Sequence, residues 1–171
     1  MSLQPGTKNQ IPDNSILDYF NKQVYLGQQF QVSTNTVSLT GTTEVPFVYF
    51  LCQAGQALSL FHAQEQFGMN DPSGATAIIY RAYLNPTGIS GGSTLTPINL
   101  RSGDATPSIA TVKLSPTATT KGNLIATYTV GWGVSFIETS LVIVDPGTSI
   151  LFTAQPTGTT TGLANFTWYE L

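Results

Sequence analysis

Charge is what this sequence has least of. Only 9% of its 171 residues are Asp, Glu, Lys or Arg, against about 25% in an ordinary soluble domain. Six basic residues face nine acidic ones, for a net charge of −3. The basic footprint of a nucleic-acid binder is missing. Cys52 is the only cysteine, so no intrachain disulfide can form, which suits assembly in a reducing cytoplasm. One cysteine and one histidine, His62, cannot make a zinc site. The carboxylates Asp13, Asp18, Glu44, Glu65, Asp71, Asp104, Glu138, Asp145 and Glu170 fall in no D-x-D or EF-hand spacing. No apolar run approaches the roughly 18 residues of a membrane helix. The N-terminal MSLQPGTKNQ has no charged stretch followed by an apolar one, so no signal peptide is visible. No segment repeats at a fixed period, and no strand alternates with a long helix, which disfavours α/β folds.

What is present is β-forming sequence cut by Gly, Pro, Thr and Asn. LVIVDPGTSILFTAQ, residues 141–155, sets two apolar runs around Asp145-Pro146-Gly147-Thr148. Pro presets φ at the second turn position and Gly takes positive φ at the third, so the stretch reads as a hairpin. Residues 141–144 and 45–52 are apolar without alternation and read as strands covered on both faces, central or interfacial. Elsewhere the period is two. Phe30 and Val32 share a face, as do Ala110, Val112 and Leu114. Leu124, Ala126, Tyr128 and Val130 form another inward set, and Ala164, Phe166 and Trp168 the last. Gly131-Trp132-Gly133 marks a bulge or bend.

About ten short strands at this spacing predict an all-β chain, an antiparallel β-sandwich of jelly-roll or Ig-like type. Residues 1–14, with Pro5, Gly6 and Pro12 and no periodicity, read as an extended N-terminal arm. Residues 15–171 form a single sandwich domain, long enough to bury a core. Within it, residues 15–24 suit a short helical turn or an early strand.

Catalytic patterns are weak. Gly88-Ile89-Ser90-Gly91-Gly92 fits G-x-S-x-G, which needs a strand-to-helix elbow. Its flanks favour no helix, and His62 lies upstream of Ser90 rather than last in the chain. A flexible loop accounts for it better. Cys52 and His62 are conceivable neighbours across a hairpin, but Cys52 lies in an apolar run where a thiol behaves as a small hydrophobe. A paired-carboxylate site needs no sequence proximity and stays open. Asn165-Phe166-Thr167 is a formal glycosylation sequon inside a strand. No residue is assigned a catalytic, cofactor-binding or metal-binding role. Three positions are partner-binding candidates: Leu3 and Ile11, spaced apolar residues on the arm, and Trp132. Trp132 either plugs the bend in its own strand or anchors a partner. So little charge favours association.

Two segments carry a resemblance. Phe30–Leu51, especially VSLTGTTEVPFVYFL at residues 37–51, resembles the opening strands of small bacteriophage virion proteins, and LTPINLRSG, residues 95–103, resembles the Thr-Pro-x-Asn-Leu segment of the same group. The turn at Pro146-Gly147-Thr148-Ser149 and the terminal Trp168-Tyr169-Glu170 also fit it. Gln53-Ala54-Gly55-Gln56 departs from that group's Asn-Pro-x-x-Ser-Gly loop. Such proteins are similar to head-decoration (cement) proteins and head or tail fibres. The resemblance implies a non-enzymatic structural role without cofactors, in a virion assembled in the host bacterial cytoplasm, and often a homotrimer. The expected partners are the major capsid protein or adjacent virion proteins, with no nucleic acid and no membrane. An alternative is a fibre or receptor-binding head domain contacting host glycans, and a third reading is a sugar-processing enzyme.

Overall fold

The computed structural model describes residue 26 and residues 28–56, 60–70, 74–132, 135–138 and 142–170. The arm, residues 15–24, Leu3 and Ile11 lie outside them. Thirteen strands are found among the described residues. In chain order they are β1 (Gln29–Ser33), β2 (Val37–Leu39), β3 (Val45–Cys52), β4 (Leu60–Met69), β5 (Ala77–Leu84), β6 (Ser93–Leu95) and β7 (Ile98–Asn99). They continue with β8 (Ala110–Leu114), β9 (Asn123–Gly131), β10 (Ser135–Glu138), β11 (Val142–Val144), β12 (Ser149–Pro156) and β13 (Thr160–Glu170). The all-β expectation holds, with more and shorter strands than the sequence suggested.

Two antiparallel sheets form the sandwich. One runs β10-β4-β13-β1-β7, with β11 also on β4 and β2 on β13; the other runs β6-β8-β3-β12-β5-β9. Nesting decides between the two expected topologies. β5 pairs β9, β4 pairs β10 and β11, β3 pairs β12, and β1 pairs β13. The chain is therefore one long antiparallel ribbon rolled over itself, which is a jelly roll.

Alternation places the core. Phe30 and Val32 on β1, and Ala164, Phe166 and Trp168 on β13, point inward and are buried as the period-two reading predicts. Phe50 from the opposite sheet meets Phe166 at 5.0 Å and Trp168 at 5.4 Å, both edge-on. Phe67 stacks on Tyr80 at 4.6 Å, and the Tyr80 hydroxyl donates to the Gly68 carbonyl at 2.9 Å. Edge-to-face and offset pairs of this kind add about 0.5–1.5 kcal/mol each beyond burial. β3 is central and buried on both faces, as expected.

Two expectations fail at the organising stretch. The turn at Asp145 forms: the Thr148 amide donates to the Asp145 carbonyl at 2.9 Å, and Gly147 has φ 82°. Yet β11 and β12 belong to different sheets, so the turn carries the chain across the sandwich and closes no hairpin. The jelly roll nests β12 between β3 and β5 instead. Nor does β11 lie inside the sandwich, the first of the two places expected for it. It is an edge strand beside β4, where one buried face suffices: Val144 is buried and Ile143 exposed.

Candidate interaction surfaces

The two large faces of the sandwich are finished differently. On the six-stranded sheet, the chain passes from β5 to β6 and later from β8 to β9. Each connection spans the interior of the sheet order. The two connections are versions of one sequence: LNPTGISGG at residues 84–92 and LSPTATTKG at residues 114–122. Both begin with a non-glycine residue at positive φ, Asn85 at 55° and Ser115 at 49°. Both then bury a proline, Pro86 or Pro116. Both end on a positive-φ glycine, Gly92 at 74° and Gly122 at 89°.

The copies pair reciprocally. The Thr87 amide donates to the Thr120 carbonyl at 3.1 Å, and the Thr120 amide returns to Thr87 at 3.3 Å. Ser90 and Thr117 exchange amide bonds at 3.1 and 2.9 Å. The hydroxyls follow, Thr87 with Thr120 and Ser90 with Thr117, each at 2.7 Å. A Cβ on Gly92 would come within 2.7 Å of the Leu114 carbonyl, and one on Gly122 within 2.1 Å of the Leu84 carbonyl. Each strap is thus locked against the strand that leads into the other, about a local two-fold.

Glu44 ties this unit to the solvent side of the sheet. Its carboxylate accepts from the Tyr83 hydroxyl at 2.9 Å and from Thr153, and pairs with Lys121 of the second strap at 2.7 Å and Arg81 at 3.4 Å. Burial pushes its pKa up, but the hydrogen bonds from Lys121, Thr153 and Tyr83, with the Lys121 charge, outweigh that and hold it below the ordinary glutamate value. Leu151 points to the same side, between Tyr49 and Tyr83 in register, and is fully buried. The straps thus cover the middle of this face, over β3, β12 and β5, while Thr127 and Thr129 on β9 stay exposed.

Among the described residues no strap crosses the outer side of the seven-stranded sheet, though Tyr169 at one end of it is buried. There Gln29, Gln31 and Ser33 of β1 stand beside Thr167 and Asn165 of β13, which stand beside Gln64 and Gln66 of β4. All are half-buried or exposed. The Asn165 amide donates to Gln66 at 3.1 Å and Gln29 donates to the Tyr169 hydroxyl at 2.9 Å. None of these residues is charged. At the β7 rim this face runs into a cleft of about 420 Å³, lined by Gln31, Val32, Ser33, Asn35, Leu95, Thr96, Ile98 and Asn165.

The sequence-level candidates fall as follows. Ser90 lies in the first strap, hydrogen-bonded to Thr117, and not on a strand-to-helix elbow. The glycines of its G-x-S-x-G serve strap packing. His62 lies on β4 of the other sheet, in register with Val142 and Trp168. Cys52 is fully buried on β3. β3 and β4 belong to different sheets, so the Cys52–His62 hairpin does not exist. Among the described residues no group of three or more His, Cys, Asp or Glu is placed to hold a metal. Among the described residues two carboxylates are buried. Glu65 has the Tyr128 hydroxyl at 3.5 Å. Glu170 accepts from Ser108, from the Ile109 amide at 3.0 Å and from the Trp168 indole at 3.3 Å, and so holds the segment before β8 against β13. Asn165 sits inside β13, as the sequon reading held. Trp132 follows β9 and is 63% exposed, so it plugs no bend.

The strap pair was missed from the sequence. Its signal was there, in the recurrence of L-[NS]-P-T-x-x-[ST]-x-G, but two short copies do not make a periodic repeat. No family model and no curated protein matches this chain.

Proposed function

We propose that this chain is a non-enzymatic virion structural protein, a capsid decoration protein that assembles with itself, as a trimer, and binds the phage head. The observation that carries the reading is the contrast between faces. One side is covered across its middle by a built-in pair of straps. The other carries, across β1, β13 and β4, a strip of amides and hydroxyls without charge, whose contacts come at little desolvation cost once hydrogen-bonded. A surface with 9% charged residues favours association over solubility. The resemblance of residues 37–51 and 95–103 supplies the viral setting. Under this reading the major capsid protein or an adjacent virion protein is the partner, and the protein resides in the virion.

The test is sedimentation of purified protein with empty heads of its phage. Saturable co-sedimentation is expected, and its absence would remove the decoration role. Ser90→Ala and His62→Ala should leave any hydrolytic background unchanged; joint loss of a reproducible turnover would revive an enzyme. A second reading, a fibre or receptor-binding head contacting host glycans, is favoured by the amide-lined cleft, because neutral amides suit sugar hydroxyls. Binding to a glycan array without binding to heads would select it.

A further inference from the structure

We propose that copies of this chain join head to tail, with Trp132 of one copy seated in the cleft beside β7 of the next. The sandwich has two long rims. At one, β9 of the six-stranded sheet lies next to β10 of the seven-stranded sheet. At the other, β6 lies next to β7, and both line the 420 Å³ cleft. These rims are opposite ends of the same strand orders, so a feature on one cannot reach the other within one molecule.

The first rim carries a knob. Trp132 is 63% exposed where β9 ends, while Leu124 and Ile125 are exposed at the start of the same strand, roughly 20–25 Å away, and form no part of the knob. The two lie adjacent because β9 is bulged: Leu124 opposes Tyr83 while Ala126 opposes Ala82, which leaves Ile125 unpaired. A tryptophan held in water is a large unused apolar surface, and tryptophans in such places are frequent interface anchors.

The second rim carries the matching hole. Val32, Leu95 and Ile98 supply an apolar wall, and Ile98 is itself 68% exposed. Gln31, Asn35 and Asn165 supply amide oxygens, which is what a buried indole N–H needs. None of the lining residues is charged. A polyanion, a basic peptide or a charged ligand would find nothing there to select it. An apolar side chain with a single donor fits, and this chain presents one on its opposite rim. The contact is therefore heterologous, and closes into a ring where the rotation permits. It rests on the self-assembly part of the proposed function and is independent of the head.

Light scattering on size-separated full-length protein tests it, with Trp132→Ala and Ile98→Asp. Both positions are exposed, so both variants should fold, with an unchanged β circular-dichroism spectrum. Wild type is expected as an oligomer and each variant as a monomer. An equimolar mixture of the two variants should give dimers and nothing larger: the intact tryptophan of one enters the intact cleft of the other, and the remaining knob and hole are both broken. An oligomer that neither variant disturbs overturns this contact while leaving self-assembly standing. So does a mixture that stays monomeric or regains full size. A monomeric wild type at tens of micromolar overturns both.

Discussion

At the residue scale, Glu44 and Ser115 make opposite arguments. Glu44 is a well-partnered carboxylate, fed by Lys121, Thr153, Tyr83 and Arg81. Its pKa is held below the ordinary value, so its contribution is complete above the unfolded-state pKa and disappears as pH falls through the folded one. Glu44→Gln is expected to cost about 1–2 kcal/mol at neutral pH. Below the ordinary glutamate pKa the difference from wild type should shrink, and urea melts at several pH values would show it. A gap independent of pH would mean that the charge is irrelevant. Ser115 holds φ 49° with no compensating amide side chain, where its counterpart is Asn85. Left-handed backbone costs a non-glycine residue about 1–2 kcal/mol. Ser115→Gly should therefore raise stability, by up to about 1 kcal/mol once the flexibility of the unfolded glycine is subtracted. A lower melting temperature would indicate that the Ser115 side chain has a role of its own.

At the scale of the element, the straps explain a motif that looks catalytic. Gly91 and Gly122 both have positive φ, 62° and 89°. Around Gly91 a Cβ would meet nothing within 4 Å, whereas at Gly122 it would meet the Leu84 carbonyl at 2.1 Å. Gly91→Ala is expected to cost only the backbone term, about 1 kcal/mol. Gly122→Ala adds a clash with main chain that cannot rotate away, and should cost at least about 2–3 kcal/mol. Denaturant midpoints separate the two. Equal losses would mean that the second strap moves freely off the sheet. The same comparison explains why Leu151 stays buried on an outer sheet face that would otherwise lie open: the cover is made of chain connections, pinned by Glu44, and not of another subunit.

On the scale of the whole molecule, the strapped face and the unstrapped face give the sandwich a direction. The arm, residues 1–14, precedes β1, which lies within the seven-stranded sheet. In the proposed decoration role, residues 1–14 with Leu3 and Ile11 as anchors would bind weakly by themselves, because ordering such a segment costs roughly 1–2 kcal/mol per residue. Several such segments on the proposed oligomer would gain about 10²–10⁴ by avidity. Deleting residues 2–13 is expected to leave melting nearly unchanged and to reduce occupancy on heads sharply. Equal occupancy with and without these residues would show that the sandwich alone makes the contact.

The β class, the inward faces of β1 and β13, the core position of Trp168 and the central position of β3 were all legible in the sequence. Each rests on local alternation or on a run too apolar for solvent, which depend on near neighbours in the chain. The turn at Asp145 was legible for the same reason. Where that turn led was not. Whether β12 pairs with β11 or with β3 and β5 depends on the nesting of strands about seventy to a hundred residues apart, and only the tertiary structure decided it. It also decided that residues 142–144 form an edge and that Trp132 stands in solvent. The pairing of LNPTGISGG with LSPTATTKG was decided there too: two stretches of ordinary loop composition become a rigid cover once the jelly roll brings them side by side.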